Sequence, residues 1–212
     1  MNNINNLVRI KEISKYIKPY KILADVGCDH GFLTILAFEE CNIDKAYAID
    51  NKEGPLNSAK HNMDGKPYYN NVHFLLSSGI KDIGDDTECV VIAGMGGILI
   101  SEILNDDLKN VKRLILEPNR DSDVVRRKVV KIGYDIVKEE IVFEKGKYYE
   151  IIVCDKVDYK PNYSDLEYEF GPCLLKEKSV YFKEKWFMMY ERLKDIDSNQ
   201  VRDYVERIRS IL

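Results

Sequence analysis

The chain has 212 residues, of which 45% are hydrophobic and 32% are charged, and its formal net charge is -4. This length suits one ordinary domain with an appendage, and the composition excludes disordered, collagen-like and disulfide-built proteins. Five scattered cysteines without a CxxC pair argue against zinc, and His30, His61 and His73 are too dispersed for a metal site. Apolar runs are too short to cross a bilayer, and we expect no secretory signal. The composition predicts a reduced, cytoplasmic protein.

Short apolar runs alternate with helical patterns through the first two thirds of the chain. The runs at 22–26, 45–49, 72–76, 89–93 and 113–116 predict five strands, of which the first and the fourth are expected to be buried. The intervening patterns predict helices over 7–18, 32–40, 56–63, 98–104 and 121–131. Such alternation is typical of βαβ units, which form a mainly parallel sheet with helices on both faces.

Two final strands are predicted at 136–143 and 148–154. The residues between them, Glu144-Lys145-Gly146-Lys147, have the composition of a hairpin turn. An antiparallel hairpin that ends a parallel sheet is typical of the methyltransferase variant of the Rossmann-like fold, rather than of the ordinary dinucleotide-binding one. The fold class predicted is therefore α/β, with a mostly parallel class I methyltransferase sheet and a terminal antiparallel hairpin.

The pattern changes to helical beyond residue 155. Residues 159–162 have the composition of a linker, and Gly171-Pro172 can open a helix. Phe182 begins one apolar stripe at helical spacing, and Val201 begins a second after Ser198, a candidate N-cap. Two such stripes predict an antiparallel, coiled-coil-like helical hairpin. We expect a sheet domain over 1–157 and a C-terminal helical domain over 158–212.

The loop after the first strand contains Asp25-Val26-Gly27-Cys28-Asp29-His30-Gly31. Ligands of open parallel sheets bind beyond the carboxyl ends of the strands. Gly27 permits a sharp turn and Gly31 a close backbone approach. Asp29 departs from the GxGxxG pattern and disfavours a pyrophosphate, but it suits a ligand with an ammonium and a sulfonium, as in S-adenosylmethionine (SAM). Turn capping by Asp25 and Asp29 is the structural alternative.

Asp50 ends the second strand, 23 residues after Gly27. An acid at this distance can accept hydrogen bonds from both ribose hydroxyls of a nucleoside cofactor, whether NAD or SAM. Ser77-Ser78-Gly79 follows the third strand, where an adenine ring would lie. Ser78 can hydrogen-bond the adenine amine, and a plain turn is an equal alternative there.

The fourth strand ends in Ala93-Gly94-Met95-Gly96-Gly97. Three glycines at the end of a buried strand indicate unusual dihedral angles or the close approach of a ligand. Glu117-Pro118-Asn119 ends the fifth strand with an acid and an amide near the same place. Methyltransferases place the transferred methyl group and its acceptor in this region, so these two segments are candidates for substrate binding.

Taken in order, these segments resemble bacterial tRNA (adenine-22-N1)-methyltransferases, class I enzymes that use SAM. The resemblance extends over nearly the whole chain, and its ordered set of motifs is specific, although each motif alone is weak. The matching segments are Ala24 to Gly31, Glu53-Gly54-Pro55-Leu56, Ser78-Gly79-Ile80, Ala93 to Gly97, Leu116-Glu117-Pro118-Asn119, Tyr149-Glu150-Ile151-Ile152 and Glu169-Phe170-Gly171-Pro172. Two positions depart from the family: glutamine usually stands where this chain has Glu117, and aspartate where it has Ser78.

The resemblance implies SAM as cofactor and tRNA as substrate. Asp29 and Asn119 are the candidate catalytic residues. The candidate cofactor-binding residues are Asp25, Gly27, Cys28, Asp29, His30, Gly31, Asp50, Asn51, Ser77, Ser78, Gly79, Ala93, Gly94, Met95 and Gly96. The candidate substrate-binding residues are Gly97, Glu117, Pro118, Asn119, Arg120, Arg126 and Arg127.

Mechanism follows from the target atom. Adenine N1 already has a lone pair, so no general base is needed to create the nucleophile, and catalysis can be mostly positioning of N1 in line with the methyl group. A base in folded tRNA must be swung out and held by stacking and edge hydrogen bonds. We expect Asn119 and the backbone of 94–97 to contact the adenine edge, and Asp29 to orient the cofactor or accept a hydrogen bond from the target amine.

Residues 109–131 are basic within an acidic protein, with eight lysines and arginines against three acids. A solvated helix face would explain them, but with a tRNA substrate they become candidates for phosphate contacts.

Three alternatives stay open. A small-molecule SAM methyltransferase would share the cofactor motifs and use the tail as a lid. A nicotinamide oxidoreductase is disfavoured by the first loop. A noncatalytic RNA-binding protein would result if the Ser78 and Glu117 changes disabled cofactor binding. The oligomeric state is open, with a monomer as our expectation.

Overall fold

The computed structural model describes residues 7–105 and 108–212, which include a seven-stranded sheet. Its parallel strands are β1 (Ile22–Val26), β2 (Lys45–Asp50), β3 (Val72–Leu76), β4 (Cys89–Met95) and β5 (Arg113–Pro118). The hairpin strands are β6 (Tyr134–Glu144) and β7 (Lys147–Lys156). The strand order is β3-β2-β1-β4-β5-β7-β6, with β7 antiparallel to both β5 and β6. The predicted fold class is confirmed.

Helices cover both faces of the sheet: α1 (Val8–Lys15), α2 (Phe32–Cys41), α3 (Glu53–Met63), α4 (Gly97–Ile103) and α5 (Ser122–Lys131). Both faces need a covering layer because successive side chains of a strand point to opposite faces, as they do in the central strand β4. Val91 packs with Leu33 of α2, whereas Val90 packs with Ile100 of α4 and Val125 of α5. Burial on both faces explains why β1, β2, β4 and β5 are largely apolar runs rather than alternating ones, whereas the edge strand β3 is buried at Val72 alone.

The tail forms α6 (Asp165–Phe170), α7 (Pro172–Glu177), α8 (Val180–Leu193) and α9 (Asn199–Ile211). Pro172 opens α7 as predicted, and α8 and α9 correspond to the two predicted apolar stripes. Helix α6 was not predicted, although its capping box of Ser164 and Glu167 is a recognisable signal in the sequence. Ser198 is the N-cap residue of α9, but its side chain makes no capping hydrogen bond.

The tail helices share an apolar core with the hairpin. Phe170, Phe182, Trp186 and Ile208 pack with Ile141 of β6. The division at 157/158 stays a prediction, since this core joins the tail to the sheet.

Residues 1–6, on which the expectation about a secretory signal rests, lie outside the described residues. Over 7–105 and 108–212, no helix combines the length and the apolar character needed to span a membrane. The described residues also contain no cluster of side chains suited to hold a metal ion.

Candidate active site

The loop after β1 depends on two glycines with left-handed backbone angles. Gly27 has φ of 77° and Gly31 has φ of 72°, a region that other residues enter at a cost. The amides of Gly27 and Cys28 donate to the carbonyl of Ile49 at 2.8 and 2.9 Å. The loop is thereby fixed to the end of β2.

Asp25 supports this loop from below. Its side chain is buried, and its Oδ2 accepts a hydrogen bond from the Thr34 hydroxyl at 2.7 Å. Burial raises the pKa of Asp25 to about 6, while the hydrogen bonds from Thr34 act in the opposite direction. Asp25 thus connects the end of β1 to α2.

Asp50 lies beside the same loop, at the end of β2. Its Oδ2 accepts from the Asp29 amide at 3.2 Å, and its Oδ1 accepts from the Lys52 amide at 3.0 Å. Each carboxylate oxygen can accept a further hydrogen bond. The Asp29 side chain is 67% exposed and sits on a backbone with φ of 48°. Asp50 is held in one orientation, whereas Asp29 projects into open space.

A cavity of about 550 Å³ lies above these residues. We call it the cofactor cavity. Ten of the predicted cofactor residues line it: Asp25, Gly27, Cys28, Asp29, His30, Asp50, Asn51, Ala93, Gly94 and Met95. It is also lined by seven residues that the sequence analysis did not select: Leu7, Arg9, Ile10, Phe32, Leu33, Lys52 and Pro55.

Five predicted cofactor residues are not among the described residues that line this cavity: Gly31, Ser77, Ser78, Gly79 and Gly96. Gly31 is instead the left-handed residue that precedes α2. The Ser77 hydroxyl donates to Asp82 at 2.6 Å. The adenine contact assigned to Ser78 stays a prediction.

The ends of β4 and β5 meet at one side of the cofactor cavity. The Asn119 side-chain amide donates to the Gly94 carbonyl at 2.6 Å, and the Asn119 backbone amide donates to the Met95 carbonyl at 2.8 Å. Gly94 has φ of 76°, which a glycine accommodates. With its nitrogen engaged, the exposed Asn119 amide has its Oδ1 available as an acceptor.

Glu117 contacts the end of β4 but is not among the residues that line the cofactor cavity. Its side chain is fully buried, pairs with Arg9 of α1, and accepts from the Gly94 amide at 2.9 Å. Burial raises the pKa of Glu117, although Arg9 opposes the shift. Its predicted contact with the substrate does not fit this position, since the carboxylate lies beneath Gly94.

Gly97 is required for close packing. Its amide donates to the Arg120 carbonyl at 2.9 Å, and a Cβ added to Gly97 would lie 2.2 Å from the Asp121 carbonyl oxygen. Because its open side is filled by the β5–α5 loop, Gly97 is not placed to touch a substrate. The predicted substrate contact of Gly97 is therefore replaced by a structural role.

Gly97→Ala is expected to lower the free energy of unfolding by about 1–3 kcal/mol, because backbone atoms must move to admit the methyl group. Gly54→Ala is the matched control. A Cβ at Gly54 meets nothing within 4 Å, and this helical position is expected to gain about 0.4–1 kcal/mol. Urea denaturation of both variants measures the difference. Equal stabilities would contradict the packing role of Gly97.

Arg126, predicted to contact the substrate, is fully buried. Its Nε donates to Glu139 at 2.7 Å and its Nη2 to Glu150 at 2.6 Å, and Nη1 donates to the carbonyls of Tyr168 and Glu169 at 3.1 Å. No phosphate can reach a guanidinium enclosed in this way. Arg126 is an internal link between α5, the hairpin and α6, and the prediction of a tRNA contact is wrong for it.

Much of the basic charge at 109–131 is neutralised within the chain. Arg113 forms two hydrogen bonds to Asp155, both of 2.7 Å. Lys112 pairs with Glu88, and Lys109 with Asp85. The excess of basic residues in the sequence at 109–131 is therefore larger than the number of positive charges available to bind phosphates.

A second concave surface runs from the end of β5 to the tail, with a volume of about 760 Å³. We call it the tail groove. The predicted substrate residues Pro118, Asn119, Arg120 and Arg127 line it, together with Tyr148, Lys185, Trp186, Tyr204 and Arg207. Arg120 is 79% exposed, and Arg127 pairs with Asp165 at 2.8 Å. Asn119, which lines the tail groove, is hydrogen-bonded to Gly94, which lines the cofactor cavity.

Comparison with known proteins identifies the family. The family model described as tRNA (adenine(22)-N(1))-methyltransferase, TrmK, matches residues 23–210. The Bacillus subtilis tRNA (adenine(22)-N(1))-methyltransferase is 31% identical over 194 residues, which cover 88% of this chain and 82% of the relative.

Two solved structures share the fold across the chain. Streptococcus pneumoniae Sp1610 in complex with S-adenosyl-L-methionine has a TM-score of 0.90 and 34% identity, and the match covers 96% of this chain and 98% of that one. M. capricolum TrmK in complex with S-adenosyl-homocysteine (SAH) has a TM-score of 0.85 and 26% identity, with 96% of each chain covered. The chain belongs to the TrmK family of SAM-dependent tRNA (adenine(22)-N(1))-methyltransferases.

Proposed function

We propose that this chain transfers a methyl group from SAM to N1 of adenine 22 in tRNA. The observation that carries the proposal is the hydrogen bond between Asn119, which lines the tail groove, and Gly94, which lines the cofactor cavity. In this proposal, a methyl donor in the cavity and a nucleotide in the groove meet at this contact. Bound SAM supplies an electrophilic methyl group on its sulfonium.

The residues around the cofactor cavity fit this cofactor. We assign the ribose hydroxyls to Asp50, and its fixed orientation on two backbone amides supports this assignment. Asp25 and Asp29 give the end of β1 a negative character that suits an ammonium and a sulfonium. The remaining proposed contacts come from the loop backbone at Cys28 and His30 and from Asn51 next to Asp50.

The chain's contribution to catalysis is positioning. Oδ1 of Asn119 accepts a hydrogen bond from the exocyclic amine of adenine, which places the neighbouring N1 near the methyl group. Asp29, an exposed residue that lines the cofactor cavity, orients the cofactor or accepts a hydrogen bond from the same amine. No base is assigned, because N1 carries its lone pair when neutral.

The tail groove is the proposed path for the RNA around the target nucleotide. Arg120 and Arg127 are the proposed phosphate contacts, and Pro118 borders the base. In this proposal, residues 1–157 bind the cofactor and residues 158–212 hold the RNA. The enzyme acts in the cytoplasm as a monomer.

Methyl transfer from labelled SAM into unmodified bacterial tRNA tests the proposed reaction. Label that appears in RNA and increases with enzyme concentration supports it. If SAM binds to the protein and no label enters RNA, tRNA methylation is rejected for this chain, and the small-molecule and noncatalytic alternatives replace it.

Binding of tRNA is expected to weaken with salt. With the two phosphate contacts proposed for Arg120 and Arg127, the dissociation constant should rise about 10-fold between about 50 and about 200 mM salt, since each contact releases condensed counterions. Fluorescence anisotropy with labelled tRNA measures this slope. Arg120→Gln should reduce the slope of log Kd against log salt concentration by the amount expected for about one phosphate contact. An affinity that does not change with salt would reject phosphate contacts as the main source of binding.

A further inference from the structure

A third concave surface, with a volume of about 730 Å³, lies where the end of α5, the residues after β7 and helix α6 come together. We call it the lysine surface. The residues with polar or aromatic side chains that line it are Arg127, Lys131, Asp158, Tyr159, Lys160 and Tyr168. Arg127 lines the tail groove as well, so one side chain borders both surfaces.

The tail groove and the lysine surface differ in charge. Four cations line the tail groove against five acids: Arg120, Arg127, Lys185 and Arg207 against Asp121, Asp123, Glu150, Asp165 and Glu169. Three cations line the lysine surface, and Asp158 is the one acid among its described lining residues. An RNA backbone is bound through cations that neutralise its phosphates. The lysine surface therefore offers what the lining of the tail groove lacks.

The charges of Lys131 and Lys160 are available to a ligand. Both side chains are exposed, and within 7–105 and 108–212 neither of them forms an ion pair. Lys131 lies in the last turn of α5, where a cation also stabilises the helix end. Lys160 follows β7 and is on no helix, so this effect does not account for it. Two separate elements thus bring a cation without an acidic partner to one concave surface.

Tyr159 adds an aromatic face beside the two lysines. It is 57% exposed, and its hydroxyl donates a hydrogen bond to Asp135 of β6, which holds the side chain in place. A base that stacks on a ring already held in this way orders few additional groups. Proteins bind unpaired nucleotides by combining cations along the backbone with exposed aromatic rings for the bases. The lysine surface has both components.

We propose that the lysine surface binds an unpaired nucleotide of the tRNA other than the target adenine. The phosphates on either side of this nucleotide contact Lys131 and Lys160, and its base stacks on Tyr159. This inference rests on the proposed function and adds a second RNA contact to the tail groove. The lysine surface shares no lining residue with the cofactor cavity, so it contributes to tRNA affinity and not to the chemical step.

The salt dependence of tRNA binding tests the two phosphate contacts. Contacts at Arg120 and Arg127 alone give a rise in Kd of about 10-fold between about 50 and about 200 mM salt, and two further contacts increase this rise to about 100-fold. We expect the larger rise for the wild type and the smaller one for Lys131→Gln/Lys160→Gln, measured by fluorescence anisotropy with labelled tRNA.

Lys11→Gln/Lys66→Gln is the matched control, because it removes the same charge from two exposed lysines that pair with Glu40 and Glu39 of α2. This control should keep the salt dependence of the wild type. Equal salt dependence in the control and in Lys131→Gln/Lys160→Gln would overturn the proposal.

Two substitutions of Tyr159 test the stacked base. Tyr159→Ala removes the ring and should weaken tRNA binding about 5- to 10-fold, the loss expected for one stacked base. Tyr159→Phe keeps the ring and removes only the hydroxyl that contacts Asp135, so its affinity should remain within about 2-fold of the wild type. Equal affinities of these two variants would show that no base stacks on Tyr159.

Turnover separates this inference from the proposed function. At saturating tRNA, Lys131→Gln/Lys160→Gln and Tyr159→Ala should keep the kcat of the wild type, while their KM for tRNA rises. A lower kcat with an unchanged KM would contradict a role in affinity. A wild type that binds tRNA without methylating it would overturn the proposed function alone. Methylation by a wild type whose affinity and salt dependence these substitutions leave unchanged would overturn the lysine surface alone.

Discussion

Arg126→Met is expected to lower the free energy of unfolding by about 3–5 kcal/mol, the usual cost of removing one partner from a buried ion pair. The substitution leaves Glu139 and Glu150 buried opposite an uncharged side chain. It also removes the donors to the Tyr168 and Glu169 carbonyls, through which Arg126 holds α6. Burial acts to raise the pKa of Glu150, but Lys185 and Arg126 outweigh it and lower the pKa to about 2. After the substitution, the single positive charge of Lys185 cannot neutralise the carboxylates of both Glu139 and Glu150.

Lys138→Met is the matched control for this experiment. Lys138 pairs with Glu177 at 2.6 Å, but both side chains are partly exposed, so the loss should stay below about 1 kcal/mol. Urea denaturation followed by circular dichroism measures both variants. A loss below about 1 kcal/mol for Arg126→Met would mean that the buried network does not hold the tail helices on the sheet.

Asn119→Ala is expected to lower kcat about 100-fold while the protein stays folded and binds SAH as tightly as the wild type. The substitution removes the acceptor proposed for the adenine amine and the donor to the Gly94 carbonyl, and displacement of a reacting group by about 1 Å can cost this much. Single-turnover methyl transfer at saturating tRNA and SAM gives the rate, and calorimetry gives the SAH affinity.

Asn110→Ala controls for the loss of an exposed amide. Asn110 donates to the Asp85 carbonyl at 2.9 Å, away from both concave surfaces, and its removal should leave kcat unchanged. Asp29→Ala should also lose turnover while remaining folded, because its side chain is exposed. Full activity in both Asp29→Ala and Asn119→Ala would remove these two residues from the mechanism.

Much of the fold could be predicted because local patterns and global architecture agree. The apolar runs that predicted β1, β2, β4 and β5 are mostly buried, whereas the edge strand β3 is buried at Val72 alone. Lys145 and Gly146, within the predicted turn, separate two antiparallel strands. Gly27 was selected for a sharp turn, and Gly94 for unusual backbone angles or the close approach of a ligand, and both have a positive φ. Gly96, selected with Gly94, has an ordinary φ of -70°. In these places the sequence requirement is local and therefore visible.

The predictions that failed concern side chains whose partners are distant in sequence. Arg126 is separated by 13 residues from Glu139 and by 24 from Glu150, and nothing local marks it as buried. Arg9 is 108 residues from Glu117, so the motif at 117–119 gave no reason to examine α1. An arginine within a basic stretch has the same local appearance whether it faces solvent or lies inside the core.

Mass spectrometry of tRNA nucleosides tests the central claim most directly. The protein would be incubated with deuterated-methyl SAM and unmodified bacterial tRNA that carries adenine at position 22, and the RNA would be digested to nucleosides. We expect labelled N1-methyladenosine, and none when guanine replaces adenine 22. Label at another nucleoside, label that persists after this replacement, or no label despite measured SAM binding would contradict the account.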